Sequence, residues 1–209
     1  MKTSIKTFIA AALTTVVLST SAFAADKTTE PAVTVLSSIK TFNKIKVSGN
    51  VELILVQSPS QSVKVYDNYY SKNALVQQQN GELFISSFAS QKLTVVAYVN
   101  DLAALTATDN ATVSSFGKLS LLSLDVKLVN NASADLNINA LNLRTNVGDS
   151  SNLTLAGTAD EHTAKIESIA KVNMDKFKAA TTTIAAKNTV IAKAAPVATD
   201  AVDAERLGK

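Results

Sequence analysis

Few residues in this sequence are equipped for chemistry. His162 is its only imidazole and cysteine is absent. Asp160 and Glu161 precede that histidine, and a Ser-His-Asp arrangement or a metal site could in principle use it. Both need partners, yet there is no second His, no thiol and no Gly-x-Ser-x-Gly elbow, so the segment reads as a solvated acidic turn. Phosphate-cradling and dinucleotide fingerprints are missing too, and neither a cofactor nor a metal is predicted. The remaining enzymatic option is a carboxylate pair acting on a sugar, as acid and base, or the same acids holding Ca²⁺. Asp109, Asp135 and Asp149 occupy similar turn neighbourhoods. Their distances from the apolar residue that opens the next strand are four, one and four residues. A shared edge therefore does not follow, and solvated turn acids are the simpler reading.

Aromatic residues are scarce and unevenly placed. Of the nine beyond residue 24, six (Tyr66, Tyr69, Tyr70, Phe84, Phe88 and Tyr98) lie between 66 and 98. Tyr66, Tyr69 and Tyr70 follow a predicted strand closely and form the candidate ligand-binding group, a stacking platform or interaction patch in which Tyr offers an apolar face and a polar tip. The competing reading is that these rings cover an open end of the fold or fill its N-terminal core. Charge is uneven as well: residues 163–195 carry six lysines against Glu167 and Asp175. Such lysines suit an anionic envelope surface, but they also serve as the polar face of alternating strands that guards against edge-to-edge pairing, and the second reading is favoured.

The N-terminus carries an address. Lys2 and Lys6 precede an uncharged apolar run over Phe8–Leu18, followed by Ser19-Thr20-Ser21 and Ala22-Phe23-Ala24. That order is the n-, h- and c-region of a signal peptide, with cleavage predicted between Ala24 and Ala25. The apolar run is too short to span a bilayer, which takes about 20 residues. No transmembrane segment is predicted after processing. Loss of Lys2 and Lys6 leaves 18 basic against 17 acidic residues. A chain so nearly neutral lacks the concentrated basic footprint of nucleic-acid binding, and no nucleic-acid partner is predicted. An exported chain without cysteine must be held by packing and backbone ladders rather than disulfides.

Those ladders are legible as period-two alternation. Ile45 and Val47; Val51, Leu53 and Leu55; Val63 and Val65; Leu83 and Ile85; and Leu93, Val95 and Ala97 each mark one face of a strand. Asn80-Gly81 between two such runs predicts a tight hairpin, because both residues tolerate positive φ. From Asp101 onward a longer period appears, a strand entering a small polar turn and leaving as another strand. The residues that open the outgoing strands, Val113, Leu136, Leu153, Val172 and Val190, are separated by 23, 17, 19 and 18 residues. A helix-free repeat of about that length predicts a solenoid whose coils stack one strand spacing apart, with Asn and Thr in the turns bonding their own kind above and below. An antiparallel sandwich is the competing architecture.

The run Phe42–Gln57, then Ser62–Tyr66, then Asn80–Ser86, then Leu93–Val99 leading into Leu102–Val113, resembles in order and spacing the GIN domain, also described as an auto-transporter adhesin head domain. The likeness extends over residues 35–196. Family turns of the Ser-Gly-Ser-Gly kind correspond here to Asn110-Ala111-Thr112, Asn131-Ala132-Ser133 and Asn188-Thr189, and only Gly148 keeps the glycine. The resemblance implies an exported bacterial protein and an all-β, right-handed parallel β-helix-like solenoid, with N-terminal strands and a hairpin leading into about five coils. The expected organisation is a signal peptide (1–24), a polar lead (25–34), the solenoid domain (35–196) and a polar C-terminal tail (197–209). The expected function is non-enzymatic: an adhesin-like or envelope-associated protein that binds an envelope polysaccharide or protein partner, or plays a structural part, in the periplasm or at the cell surface. The alternative is a β-helix carbohydrate-active enzyme, a polysaccharide lyase or hydrolase.

Overall fold

The computed structural model describes residues 33–36, 39–66, 74–167 and 169–187. The signal segment with Ala24 and Ala25, the tyrosines Tyr69 and Tyr70, the turn Asn188-Thr189 with Val190, and the C-terminal tail lie outside the described residues. Thirteen strands and no helix occur among the described residues: β1 (Val33–Val35), β2 (Lys44–Gly49), β3 (Val51–Gln57), β4 (Ser62–Tyr66), β5 (Ala74–Gln79), β6 (Glu82–Ser87), β7 (Leu93–Val99), β8 (Ala104–Thr108), β9 (Thr112–Phe116), β10 (Leu119–Leu128), β11 (Ser133–Val147), β12 (Asn152–Glu167) and β13 (Lys171–Lys187).

All thirteen strands join one sheet, and period-two patterning sets its faces. In β6 the buried positions are Leu83, Ile85 and Ser87, alternating with partly exposed neighbours, as expected of strands with one face in a core. Two interior rows run through the whole stack. One is Val65, Val95, Leu53, Val113, Ala134, Leu153 and Val172, each paired with the next across a strand boundary. The other is Val76, Ile85, Val47, Ala107, Leu128, Val147 and Ile166. Every member of both rows is buried. Full removal of such aliphatic side chains from water contributes about 1.5–3 kcal/mol each, so these rows are the main cohesive element of a chain without disulfides.

The C-terminal strands β10, β11, β12 and β13 stack in parallel, and partners such as Leu119↔Ile138 and Ser133↔Asn152 stand one sequence repeat apart. Ser133 and Asn152 are neighbours although a 15-residue strand starts at the first of them, so the chain must curl round on itself between them. The repeat passes through Ala134, not Leu136. Val113 pairs with Ala134, Ala134 with Leu153 and Leu153 with Val172. Bulk misleads the sequence reading here, because a buried alanine marks the interior as well as a leucine does.

The N-terminal part departs from the expected right-handed parallel β-helix by more than its predicted hairpin. The sheet is mixed: β1 with β4, β4 with β7 and β5 with β6 are antiparallel. Chain order and spatial order also part company. β2 lies between β6 and β8, and β3 between β7 and β9, so the earliest layer sits inside the stack and the later β6–β7 layer lies beyond it. The Asn80-Gly81 hairpin joins β5 to β6 as the sequence predicts, with φ of 52° and 77°, the pair of positive values a tight two-residue turn requires.

Candidate functional site

Successive layers turn at the same corner. The segments between β6 and β7, β2 and β3, β8 and β9, β10 and β11, β11 and β12, and β12 and β13 follow one another in the order in which their strands pair. The last four share one turn. Ala111 N donates to Thr108 O, Ala132 N to Val129 O, Ser151 N to Gly148 O and Ala170 N to Glu167 O, and each donor residue is buried. Ala111, Ala132 and Ala170 therefore occupy an inward, small-residue position. The left-handed position precedes them: Asp109, Asn130 and Asp149 have φ of 61°, 62° and 54°. Asn and Asp are the non-glycine residues that best tolerate this conformation.

These three residues form a polar row. Asn130 Nδ2 donates to Asp109 Oδ1 (3.0 Å), and the Asn130 backbone N–H donates to Asp149 Oδ2 (3.0 Å). Thr108 Oγ1 donates to Asp109 Oδ2 (3.1 Å) and Ser151 Oγ to the Asn130 carbonyl (3.3 Å). The ladder is thus mixed, with Asn130 giving its side-chain amide to one carboxylate and its backbone N–H to the other, rather than asparagine on asparagine. A neutral residue at 130 keeps the nearest like charges of the row two layers apart, where directly opposed carboxylates would be destabilising. Asp135 is elsewhere, on the outward face of β11 between Ser114 and Thr154. Of the three acids considered from sequence, the fold brings together Asp109 and Asp149, the two with matching offsets.

At the far end of the same corner stands Phe88, with 83% of its surface exposed. An open groove of about 490 Å³ lies beside it, lined also by Asn50, Ser87, Asp109 and Asn110. The loop carrying Phe88 is pinned. Asn50 Nδ2 donates to the carbonyls of Ala89 (3.2 Å) and Ser90 (2.9 Å), Asn50 N donates to Ser87 O (2.8 Å), and Ala89 N donates to Ser87 Oγ (3.4 Å). Gly49 (φ 79°) permits this contact, since a Cβ there would overlap the Ser87 carbonyl. Composition places Phe88 among the clustered aromatics without singling it out. The available signal is phase: Leu83, Ile85 and Ser87 point inward, and the ring follows where the alternation ends.

Tyr66, the described member of the tyrosine group, ends β4 between Val33 of β1 and Thr94 of β7. It is half-buried, and burial raises its hydroxyl pKa above the usual tyrosine value, with the Lys64 charge acting in the opposite direction. The described lysines of the C-terminal cluster, Lys165, Lys171, Lys176 and Lys178, are exposed on the outward face of β12 and β13, with Lys165 paired to Glu167. This is the alternating polar face that the sequence favours.

His162 departs from the solvated turn expected of it. Asp160 and Glu161 are exposed at a second corner, but His162 starts the next inward run with Ala164 and Ile166 and is only 1% exposed. Its Nε2 lies 3.0 Å from Thr145 Oγ1, and its ring meets Phe177 edge-on at 5.2 Å. Nδ1 has no partner. An orphan N–H is less tolerable in a core than a bare acceptor, which favours the tautomer with Nε2–H donating to Thr145. Burial pushes the imidazole pKa below its ordinary value, so the ring is a neutral core member. No group of three or more acidic, His or Cys side chains suited to a metal occurs among the described residues.

Comparison with known proteins agrees with this geometry. No curated protein matches the chain. Among solved structures, one described as a "putative adhesin" from Bacteroides fragilis superposes with a TM-score of 0.66 at 17% identity, covering 77% of this chain and 78% of the other. A second "putative adhesin", from Parabacteroides distasonis, gives 0.60 at 17% identity over 77% and 81%. A "putative lipid binding protein" from the same species gives 0.57 at 13% identity over 78% and 82%. These likenesses establish the shared fold. The family described as "Putative auto-transporter adhesin, head GIN domain" matches residues 41–208, and the chain belongs to that family.

Proposed function

We propose that this protein is an exported, non-enzymatic binding module of the cell envelope, in which a β-solenoid stack presents its row of turns to a partner. The observation that carries the reading is the row itself. Side chains of Asn50, Asp109, Asn130 and Asp149 are fixed by hydrogen bonds between layers, and a surface ordered before contact loses less entropy on binding. The same bonds weigh against the carbohydrate-active alternative. A hydrolytic pair needs two carboxylates free to flank one glycosidic bond, whereas Asp109 and Asp149 each bind Asn130 from opposite sides. Family membership supports adhesion and a folded domain over 35–196, and the Lys2–Ala24 segment supports export with cleavage before Ala25. The relative described as lipid-binding makes an envelope lipid a second ligand to test.

The test uses the mature chain, residues 25–209, immobilised on beads and offered purified envelope polysaccharide and phospholipid vesicles, with reducing-sugar release assayed in parallel. Retention without release is the expected result. Sugar release would overturn the non-enzymatic reading, and failure to retain either material would favour a purely structural role.

A further inference from the structure

We infer that the groove beside Phe88 is a binding site for a neutral saccharide, with the Phe88 ring as the stacking face and Asp109 and Asn110 as hydrogen-bond partners for vicinal hydroxyls. Phe88 is the most exposed large apolar side chain among the described residues. It is not simply left on a loose loop, since Asn50 holds the two carbonyls that follow it and Gly49 packs against the residue before it. A ring fixed outward in this way offers a flat apolar face at small entropic loss. Across the groove, Asp109 is oriented by Thr108 and Asn130, each bonded to a different carboxylate oxygen. An ionised carboxylate accepts about four hydrogen bonds, so both oxygens retain capacity for a ligand hydroxyl. Asn110, exposed beside it, adds an amide donor and acceptor.

The lining selects the chemical class. A pyranose has an apolar C–H face and an equatorial belt of hydroxyls, which match one aromatic ring opposed by a carboxylate and an amide. No lysine or arginine lines the groove and Asp109 brings a negative charge, so an anionic glycan or a phosphate headgroup meets repulsion without compensation. Phe88 is the only large apolar residue of the lining, too little to bury an acyl chain. The polar row continues from Asp109 through Asn130 to Asp149 at one strand spacing, about 4.8 Å, per layer. That rise is comparable with one sugar unit of an extended glycan, so an oligosaccharide fits better than a monosaccharide.

This site deepens the binding-module reading and rests on it. Saturation-transfer NMR and calorimetry on the mature chain, with cellohexaose, xylohexaose, mannohexaose and N-acetylated chitohexaose as probes, test it. Binding of at least one probe is expected, with affinity lowered at least tenfold in Phe88→Ala, several-fold in Asp109→Asn, and preserved in Arg144→Ala, on the outer face away from the groove. Unchanged melting of Phe88→Ala is the folding control; if that variant is unstable, Phe88→Leu, which keeps apolar bulk but loses the ring and is expected to weaken binding, and Asp109→Asn decide. The site is refuted by binding that is indifferent to Phe88, by failure of all four probes, or by preference for dextran sulfate or anionic vesicles. Retention of envelope polysaccharide that persists in Phe88→Ala while the probes fail would refute this site alone and leave the wider reading intact.

Discussion

Residues 33–116 and 119–187 build two halves of one sheet by different rules. In the first, layers are assembled from segments far apart in sequence: β2 pairs with β8 although β3 to β7 intervene in the chain, and three strand pairs are antiparallel. In the second, each strand lies in parallel on the one before, one repeat further along the chain. The interiors differ to match. Both are mainly Leu, Ile and Val, but of alanines and polar residues the first buries only Ala97, Ala107, Ala111 and Ser87 beside them, while the second buries Ala132, Ala134, Ala140, Ala159, Ala164 and Ala170 together with Thr145, Ser151 and His162. A sequential ladder depends on nearest-neighbour contacts that can be lost one layer at a time. An interleaved part ties its layers together through long-range pairs that form slowly but open as a unit. The lesson is that the turn row starts on the interlocked half, which holds Phe88 and Asp109 on the more cooperative support.

Gly157 sits in the sequential half at a position only glycine fits. It adopts φ 102°, and a Cβ would overlap the Ile138 carbonyl at the point where β13 has a bulge and sets Phe177 beside the glycine. Gly157→Ala is expected to lose about 3 kcal/mol or more, measured by urea denaturation. Hydrogen exchange should rise in β11–β13 while β2, β3, β6 and β7 stay protected; a uniform rise would show the halves to be one cooperative unit. Asn130→Ala removes a left-handed-tolerant residue and its bond to Asp109, and is expected to cost about 1–2 kcal/mol. Asn130→Gly should recover the part due to backbone conformation, and an equal loss in both variants would assign the whole effect to the side-chain bond.

Titration of His162 separates the halves by pH. Its folded-state pKa is lowered by burial, so the unfolded chain takes up the proton first. Stability is then full above the unfolded value of about 6.5 and falls as pH drops through it toward the folded pKa. Because His162 is the only histidine, its ring resonances can be followed without assignment. His162→Leu should flatten the dependence of stability below about pH 6.5, and an unaltered slope would place the ring in solvent. The smallest effect is expected from Arg144→Ala. The Arg144–Asp125 pair spans 3.1 Å with side chains 70% and 56% exposed, which limits its contribution to about 0.5 kcal/mol or less. A loss above about 1 kcal/mol in thermal melts, beyond the usual range of an exposed pair, would mean that the outer face of the ladder carries more stability than its aliphatic rows imply.

Much of the strand framework is legible because period two reports which face of a strand is buried. Leu53, Val95 and Leu83 declare it, and Asn80-Gly81 declares its turn. Alternation says nothing about which strand lies alongside. Nothing in Val47 indicates that it pairs with Ile85 on one side and Ala107 on the other. The polar row is half legible: the equal offsets of Asp109 and Asp149 are visible, but Asn130 between them emerges only from register. His162 is misplaced by its neighbours, because Asp160 and Glu161 draw it into their turn, although counting back from Ile166 and Ala164 sets it inside. Phe88 looks like one more clustered aromatic until the fold separates it from the core.

An all-β chain without cysteine is readable from the amino-acid order alone. These properties are local or periodic, and a single strand expresses them in its own side chains. The interleaving of β2 and β3 within the stack, the neutral buried imidazole, and the meeting of Phe88 with Asp109 across one groove emerge only in the folded sheet. Each of those depends on backbone hydrogen bonds between distant segments, whose partners are chosen by the best joint burial of all the strands together.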